Sequence, residues 1–175
     1  MASALKNLSA YDESTVPDAS EFNFGIVVSE WNNHITHALY EGCYETLIKH
    51  GAQADHIHTI QVPGAFELTT GAKLLIGSRK LDAVICIGCV IKGETSHNEY
   101  INHAVATGLT GLSAATSIPC IYGVLTPNDE RQALERAGGK HGNKGIEAAV
   151  TAIRMAALKK ELQKPIGTVG FRRDG

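Results

Sequence analysis

The residues best suited to chemistry concentrate in one segment, residues 90–100, which reads VIKGETSHNEY. An apolar stretch, residues 81–91, stops at Lys92-Gly93, small polar residues follow, and a helical pattern then begins. Ser96 and Glu99 have the spacing of a capping box, which predicts a helix that begins at about His97. Unpaired N–H groups and the positive end of the helix dipole attract phosphate at such a position. Because histidine titrates nearest neutrality, the segment predicts an anion site beside a general base.

His97 has an alternative interpretation, since it is one of eight histidines in the chain. A histidine in the first turn of a helix is usually a solvated surface residue. Its position beside the Gly-Glu-Thr-Ser loop favours a functional role, which would be proton transfer on a phosphorylated small molecule.

Two further candidate sites follow the ends of other predicted strands. Trp31 comes directly after the first strand, where it is either a packing anchor or a stacking face for a planar heterocycle. Phe66 and Glu67 hold the same place after the second strand. Glu67 either caps the helix that begins there or accepts hydrogen bonds from ligand hydroxyls.

Arg136 and Lys144 flank a glycine-containing loop, residues 138–145. Near helix ends such residues are either ordinary dipole partners or phosphate ligands. The loop lies between two predicted helices and lacks the G-x-x-x-x-G-K-[ST] spacing, which excludes a P-loop and a nucleotide triphosphatase.

Composition limits the classes of protein to consider. The chain has 175 residues, 43% of them hydrophobic and 19% charged, as expected for one globular domain. A formal net charge of −2 and the lack of a Lys/Arg run exclude a nucleic-acid footprint. The apolar stretches are too short to span a bilayer, and residues 1–20 lack the features of a signal peptide. We therefore expect a cytoplasmic protein that contacts neither nucleic acid nor membrane.

Cys86 and Cys89 form a C-x-x-C pair, which in principle suits redox chemistry or half of a zinc site. The pair lies inside a predicted strand, however, where residues three apart point to opposite faces. No second pair of ligands lies nearby in the sequence, so we interpret the four cysteines as small buried hydrophobes and expect no metal.

These candidates are positioned by strands that alternate with helices. Strands are predicted at residues 24–29, 57–62, 83–89 and 119–125, each apolar on both faces. Helices are predicted at residues 34–50, 65–76, from 97, from the cap and proline at 126–127 to 138, and at 146–162. The pattern indicates an α/β fold, a single-domain three-layer sandwich in which helices cover both faces of a four-stranded parallel sheet. Ligands bind such sheets at the carboxyl ends of the strands, where the candidates collect.

The ends of the chain are assigned separately. Residues 1–21 are polar and predict a flexible N-terminal arm, residues 22–163 form the domain, and residues 164–175 form a loose C-terminal tail.

Taken together, the chain resembles the 6,7-dimethyl-8-ribityllumazine synthase family of riboflavin biosynthesis. The resemblance covers residues 22–162 and rests on five segments in family order: Trp31-Asn32, residues 62–68 (VPGAFEL), residues 90–97 (VIKGETSH), residues 122–126 (YGVLT), and residues 135–138 with 143–145 (ERAG and NKG). It implies a flavodoxin-like fold and a transferase that condenses 5-amino-6-(D-ribitylamino)uracil with 3,4-dihydroxy-2-butanone 4-phosphate. The products would be the lumazine, phosphate and water.

The resemblance also implies roles for individual residues. The ribitylaminouracil would be bound by stacking on Trp31, by hydrogen bonds to Glu67, and by Ala65, Phe66, Cys89, Val90, Ile91 and Tyr122. The butanone phosphate would be held by Glu94, Thr95, Arg136 and Lys144, and His97 would shuttle protons. The family uses no cofactor, so the resemblance implies none here.

Two positions depart from common family choices. Position 31 is often phenylalanine, and tryptophan preserves stacking. Position 94 is often a small residue, so Glu94 fits beside an anion only if its side chain points to solvent while its backbone binds.

Members of the family form homopentamers with active sites between subunits, and some assemble twelve pentamers into an icosahedral shell. The resemblance therefore implies that Tyr122, Arg136 and Lys144 come from an adjacent subunit. Family pentamers that stay free often carry an insertion between the last two helices. Residues 138–145 show none, which favours the shell.

Two other classes of protein remain as alternatives. A non-catalytic shell protein that binds lumazine or flavin should have lost His97 or the phosphate ligands, yet the sequence keeps both. A flavodoxin-like electron carrier would copurify with bound flavin.

Overall fold

The centre of the protein is a parallel sheet of four strands. The computed structural model describes residue 7 and residues 9–164. The strands are β1 (Phe24–Ser29), β2 (Ile57–Val62), β3 (Ala83–Cys89) and β4 (Cys120–Leu125), in the order β2-β1-β3-β4. Each pairs with its neighbour in parallel. The predicted four-stranded parallel sheet is confirmed.

Helices cover both faces of this sheet. Helices α1 (Asn33–Lys49) and α5 (Lys144–Leu162), with the short α4 (Glu130–Glu135), bury apolar side chains on one face. Helices α2 (Leu68–Ser78) and α3 (His97–Thr116) do so on the other. The result is the predicted three-layer sandwich, because a fully buried parallel sheet needs an apolar helix layer on each side.

The expectation that every strand is apolar on both faces is wrong for β2. Only its end residues Ile57 and Val62 are buried, and Thr59 and Gln61 are exposed. The strand lies at the edge of the sheet and has β1 as its single neighbour there. An edge strand can therefore carry exposed polar side chains more readily than a buried central strand.

The predicted capping box at the start of α3 is wrong, although the helix does begin at His97. The Ser96 side chain makes no capping hydrogen bond. Instead, the Thr95 hydroxyl accepts from the His97 N–H at 3.4 Å.

The segment after β4 also differs from the prediction. Helix α4 begins after Asp129, whose carboxylate accepts from the Gln132 N–H at 2.8 Å, rather than at the Thr126-Pro127 pair. It ends at Glu135, and the chain then forms an antiparallel hairpin of β5 (Ala137–Gly139) and β6 (Gly142–Asn143). No strand is predicted here from the sequence, because strands of three and two residues are too short to show an alternating pattern.

The two cysteines of the C-x-x-C pair lie on opposite faces of the sheet, as predicted. Cys86 packs in the cluster under α2 and α3, and Cys89 in the cluster under α1 and α5. Burial raises the pKa of the Cys89 thiol to about 12 and that of Cys120 to about 11. These thiols stay protonated near neutral pH, which agrees with their interpretation as small hydrophobes.

Residues 9–21 of the expected arm are attached to the domain. Ser9 and Ala19 are buried, and Tyr11 Oη lies 3.0 Å from His50 Nε2 at the end of α1. The Ala19 N–H donates to the His50 carbonyl at 2.8 Å. This part of the chain therefore contacts the domain at several points, because distant residues supply partners that no local sequence pattern reveals. Within residues 9–164, no helix is long and apolar enough to cross a membrane. The expected tail from residue 165 onward lies outside the described residues.

Candidate active site

A cavity of about 900 Å³ opens at the carboxyl edge of the sheet. The residues that follow β1, β2 and β3 surround it, together with the first turns of α3. Ligands bind parallel sheets at this edge because the loops diverge there and leave a crevice. The structure brings these predicted site residues together around the cavity: Trp31, Ala65, Phe66, Glu67, Cys89, Val90, Ile91, Thr95 and His97.

Trp31 is held at the mouth of the cavity by its backbone. Its N–H donates to the Pro63 carbonyl at 3.1 Å, which joins the loops after β1 and β2. The next residue, Asn32, has a left-handed backbone with φ 58°, and its side-chain amide donates to the Cys89 carbonyl at 3.0 Å. The Trp31 side chain is 71% exposed. Such exposure argues against a packing anchor and favours a face on which a ring can stack.

Glu67 combines the two roles that its sequence position suggested. One carboxylate oxygen accepts from the Gly64 N–H at 3.0 Å and so caps the short 3-10 helix Ala65–Glu67. The side chain also borders the cavity. A carboxylate accepts several hydrogen bonds, so capping is compatible with binding a ligand hydroxyl.

The floor of the cavity is tied to the loop after β4. The Val90 N–H donates to the Leu125 carbonyl at 2.8 Å, and the Lys92 N–H donates to the Pro127 carbonyl at 3.0 Å. Glu94 and Thr95 follow and are exposed, and of the two only Thr95 borders the cavity. The Glu94 side chain is thus free to extend into solvent, as its position beside a proposed anion site requires.

His97 stands in the first turn of α3 with its side chain exposed at the cavity. Its ring can therefore exchange protons with a ligand bound between Trp31 and the start of the helix. Other cavity residues on the same helix were not singled out from the sequence: Asn98, Tyr100, Ile101, His103 and Ala104. The sequence did contain a signal for three of them. Tyr100, Ile101 and Ala104 lie three, four and seven residues after His97 and so share its helix face.

Arg136 and Lys144 border a different cavity, of about 280 Å³, which lies beside Thr126 and Pro127. This cavity and the larger one share no lining residue. Tyr122 is half-buried on β4 and borders neither, and burial raises its pKa. Within one chain, the structure thus gathers the predicted ring-binding residues around His97 but not Tyr122, Arg136 or Lys144.

Glu147 is a functional candidate that is not predicted from the sequence. Its Oε1 lies 2.7 Å from Arg136 Nη2, and its Oε2 accepts from Lys144 Nζ at 3.2 Å. Arg136 Nη1 also donates to the His141 carbonyl at 2.8 Å. One carboxylate therefore orients both cations, and partial burial of all three side chains limits screening by solvent. The three-residue spacing from Lys144 to Glu147 was the available signal.

Comparison with known proteins gives one consistent family. The model of the family described as 6,7-dimethyl-8-ribityllumazine synthase matches residues 21–160. A protein named 6,7-dimethyl-8-ribityllumazine synthase from Parabacteroides distasonis is 54% identical over 155 residues, which are 89% of this chain and 97% of the relative. Proteins of the same name from Phocaeicola vulgatus and Flavobacterium psychrophilum are both 52% identical, over 94% and 92% of this chain and 98% and 85% of their own.

Proposed function

Because the chain belongs to the 6,7-dimethyl-8-ribityllumazine synthase family, we propose that it condenses 5-amino-6-(D-ribitylamino)uracil with 3,4-dihydroxy-2-butanone 4-phosphate in the larger cavity. The protein is a transferase of riboflavin biosynthesis. The observation that carries the proposal is that His97, Trp31 and Glu67, which lie far apart in sequence, border one cavity.

The ribitylaminouracil has the chemistry that this cavity accommodates. Its pyrimidine ring stacks on Trp31, over the backbone of Cys89, Val90 and Ile91, and its ribityl hydroxyls reach Glu67. Phe66 and Ala65 enclose the chain of the sugar alcohol.

The second substrate lies beside the start of α3. Its phosphate accepts hydrogen bonds from N–H groups at Glu94 and Thr95, aided by the helix dipole. His97 moves protons as the imine forms, phosphate leaves and the ring closes. Holding two substrates in one cavity also removes much of the entropic barrier.

Arg136 and Lys144 complete the phosphate site from a neighbouring subunit, as does Tyr122 at the ring. This assignment is supported by their separation from the larger cavity within one chain. The assembly is a homopentamer, and the short β5–β6 connection favours twelve pentamers in an icosahedral shell. Light scattering separates the two assemblies, because their masses differ about twelvefold.

Sharing of the site between subunits predicts complementation. Assayed with butanone phosphate well below its wild-type KM, where both variants are impaired, His97→Ala subunits refolded together with Arg136→Gln subunits should regain activity, because some interfaces then pair an intact His97 with an intact Arg136. In a random equal mixture, about a quarter of the sites are restored. Activity that stays at the level of the separate variants would contradict a shared site.

A cytoplasmic location is supported by the four cysteines, all of which are free thiols, as is usual in a reducing compartment. The three relatives named above all bear the name of an enzyme, and none supports the alternative of a non-catalytic lumazine- or flavin-binding shell protein.

Purified protein incubated with both substrates tests the reaction directly. We expect the lumazine chromophore and inorganic phosphate to appear in equal amounts, and neither to accumulate enzymatically when the pyrimidine is omitted. A protein that binds the lumazine without forming it would contradict the proposed reaction.

A further inference from the structure

The segment that precedes β1 contacts the β5–β6 hairpin, and we propose that Ser9 is a positioning residue for Arg136 and Lys144. It acts through the backbone of Asn143. This inference rests on the proposed function, because it takes those two cations as phosphate ligands.

Ser9 makes a reciprocal pair of hydrogen bonds with one residue that lies 134 positions later in the chain. Its hydroxyl donates to the Asn143 carbonyl at 2.9 Å, and the Asn143 N–H donates back to the same hydroxyl. The serine is 8% exposed, as is Asn143. Buried backbone groups need such partners, so the hydroxyl fixes the position of Asn143.

Asn143 in turn connects the hairpin to two helices. Its side-chain oxygen accepts from the Gly145 N–H at 2.8 Å and so caps α5. Its side-chain amide donates to the Ala38 carbonyl in α1 at 2.8 Å. Displacing Asn143 therefore disturbs the start of α5, where Lys144 and Glu147 lie.

The start of β6 leaves room for this contact. Gly142 has φ 85°, in the left-handed region that favours glycine. A Cβ at this position would lie 2.2 Å from the Ser9 hydroxyl oxygen. The hairpin thus leaves room for Ser9 by lacking a side chain there.

Both cations are attached to the same hairpin. The Lys144 N–H donates to the Arg136 carbonyl at 2.9 Å, and the Arg136 guanidinium donates to the His141 carbonyl at 2.8 Å. A shift of the hairpin consequently moves both charges together. Ser9 itself does not border either cavity, so its effect on phosphate binding is transmitted through these contacts.

The test is Ser9→Ala in the full-length protein, with Ser14→Ala as the matched control. Ser14 lies in the same segment but is exposed and bonds only its neighbour Asp12 among the described residues. We expect Ser9→Ala to raise the KM for the butanone phosphate about tenfold and to weaken inhibition by inorganic phosphate in parallel. The KM for the pyrimidine should change less than about twofold, because the larger cavity is untouched. Ser9→Thr, which keeps the hydroxyl, should recover most of the loss.

Two measurements separate positioning from a loss of folding. Ser9 belongs to neither apolar cluster, so the variant should keep the assembly mass of the wild type. Hydrogen exchange should accelerate at the Asn143 amide in Ser9→Ala and not in Ser14→Ala.

An equal rise in the KM for both substrates in Ser9→Ala, or an unchanged inhibition constant for inorganic phosphate, would overturn the role of Ser9. If Arg136→Gln also left phosphate binding unchanged, both the role of Ser9 and the proposed phosphate site would be wrong. If Arg136→Gln weakened phosphate binding and Ser9→Ala did not, the inference about Ser9 alone would fail.

Discussion

Replacing His97 with alanine is expected to lower kcat for lumazine formation about a hundredfold, the lower end of the usual contribution of a positioned general acid–base. The KM values should change less than about threefold, because Trp31 and Glu67, the proposed contacts to the ring and the sugar chain, border the cavity and stay in place. Activity should remain measurable, since the cavity still brings both substrates together. Steady-state kinetics with each substrate varied in turn would measure this split.

His103 provides the decisive comparison for this prediction. It lies on the same helix, borders the same cavity and is also exposed. If His103→Ala lowered kcat as much as His97→Ala, or if His97→Ala kept full activity, His97 would not be the proton shuttle. His37→Ala, an exposed change on α1 outside this cavity, should behave as the wild type.

The second large effect is expected from Arg136→Gln, which should raise the KM for the butanone phosphate about thirtyfold. A hydrogen bond to a charged group contributes about 1.5–3 kcal/mol, and a tenfold change in affinity corresponds to about 1.4 kcal/mol. The substitution removes a fork of donors and leaves Glu147 paired with Lys144 alone. The KM for the pyrimidine should stay within about twofold.

Arg136→Lys is the matched variant, because it keeps the charge but loses the planar fork. We expect its KM for the butanone phosphate to lie between those of the wild type and Arg136→Gln. Arg131→Gln controls for a general loss of positive charge, since Arg131 is exposed and pairs with Asp129 and Glu135. A similar rise in both KM values, or equal effects of the Arg131 and Arg136 changes, would contradict phosphate recognition by Arg136.

Most of the fold was predictable from local pattern. Strands β1 and β3 have the predicted bounds because long apolar runs between polar segments leave few other choices. The prediction that β2 is apolar on both faces was wrong, because its side chains are less covered at the edge of the sheet than those of a central strand. The hairpin after α4 was missed because its strands hold too few residues to show a period.

The candidate site was predictable in part for a different reason. Parallel strands bring their carboxyl ends to one edge, so residues such as Trp31 and His97 could be grouped from the sequence pattern alone. The hydrogen bonds and ion pairs of the side chains in and beside the loops were harder to predict. Ser96 does not cap α3, and Glu147 pairs with both Arg136 and Lys144. Such contacts depend on the positions of the surrounding atoms in the folded chain, which sequence spacing does not give.

By itself, the sequence determined the alternation of strands and helices, the edge of the sheet that carries the site, and the family to which the chain belongs. The first two follow from residue types at short spacing, where hydrophobic burial acts. The family follows from the resemblance of five segments in family order, and the family model matches residues 21–160. Only the tertiary structure decided that residues 9–21 pack on the domain, that Ser9 bonds Asn143, and that Arg136 borders a cavity apart from His97. Those outcomes depend on hydrogen bonds and contacts between residues far apart in the chain, which no local pattern records.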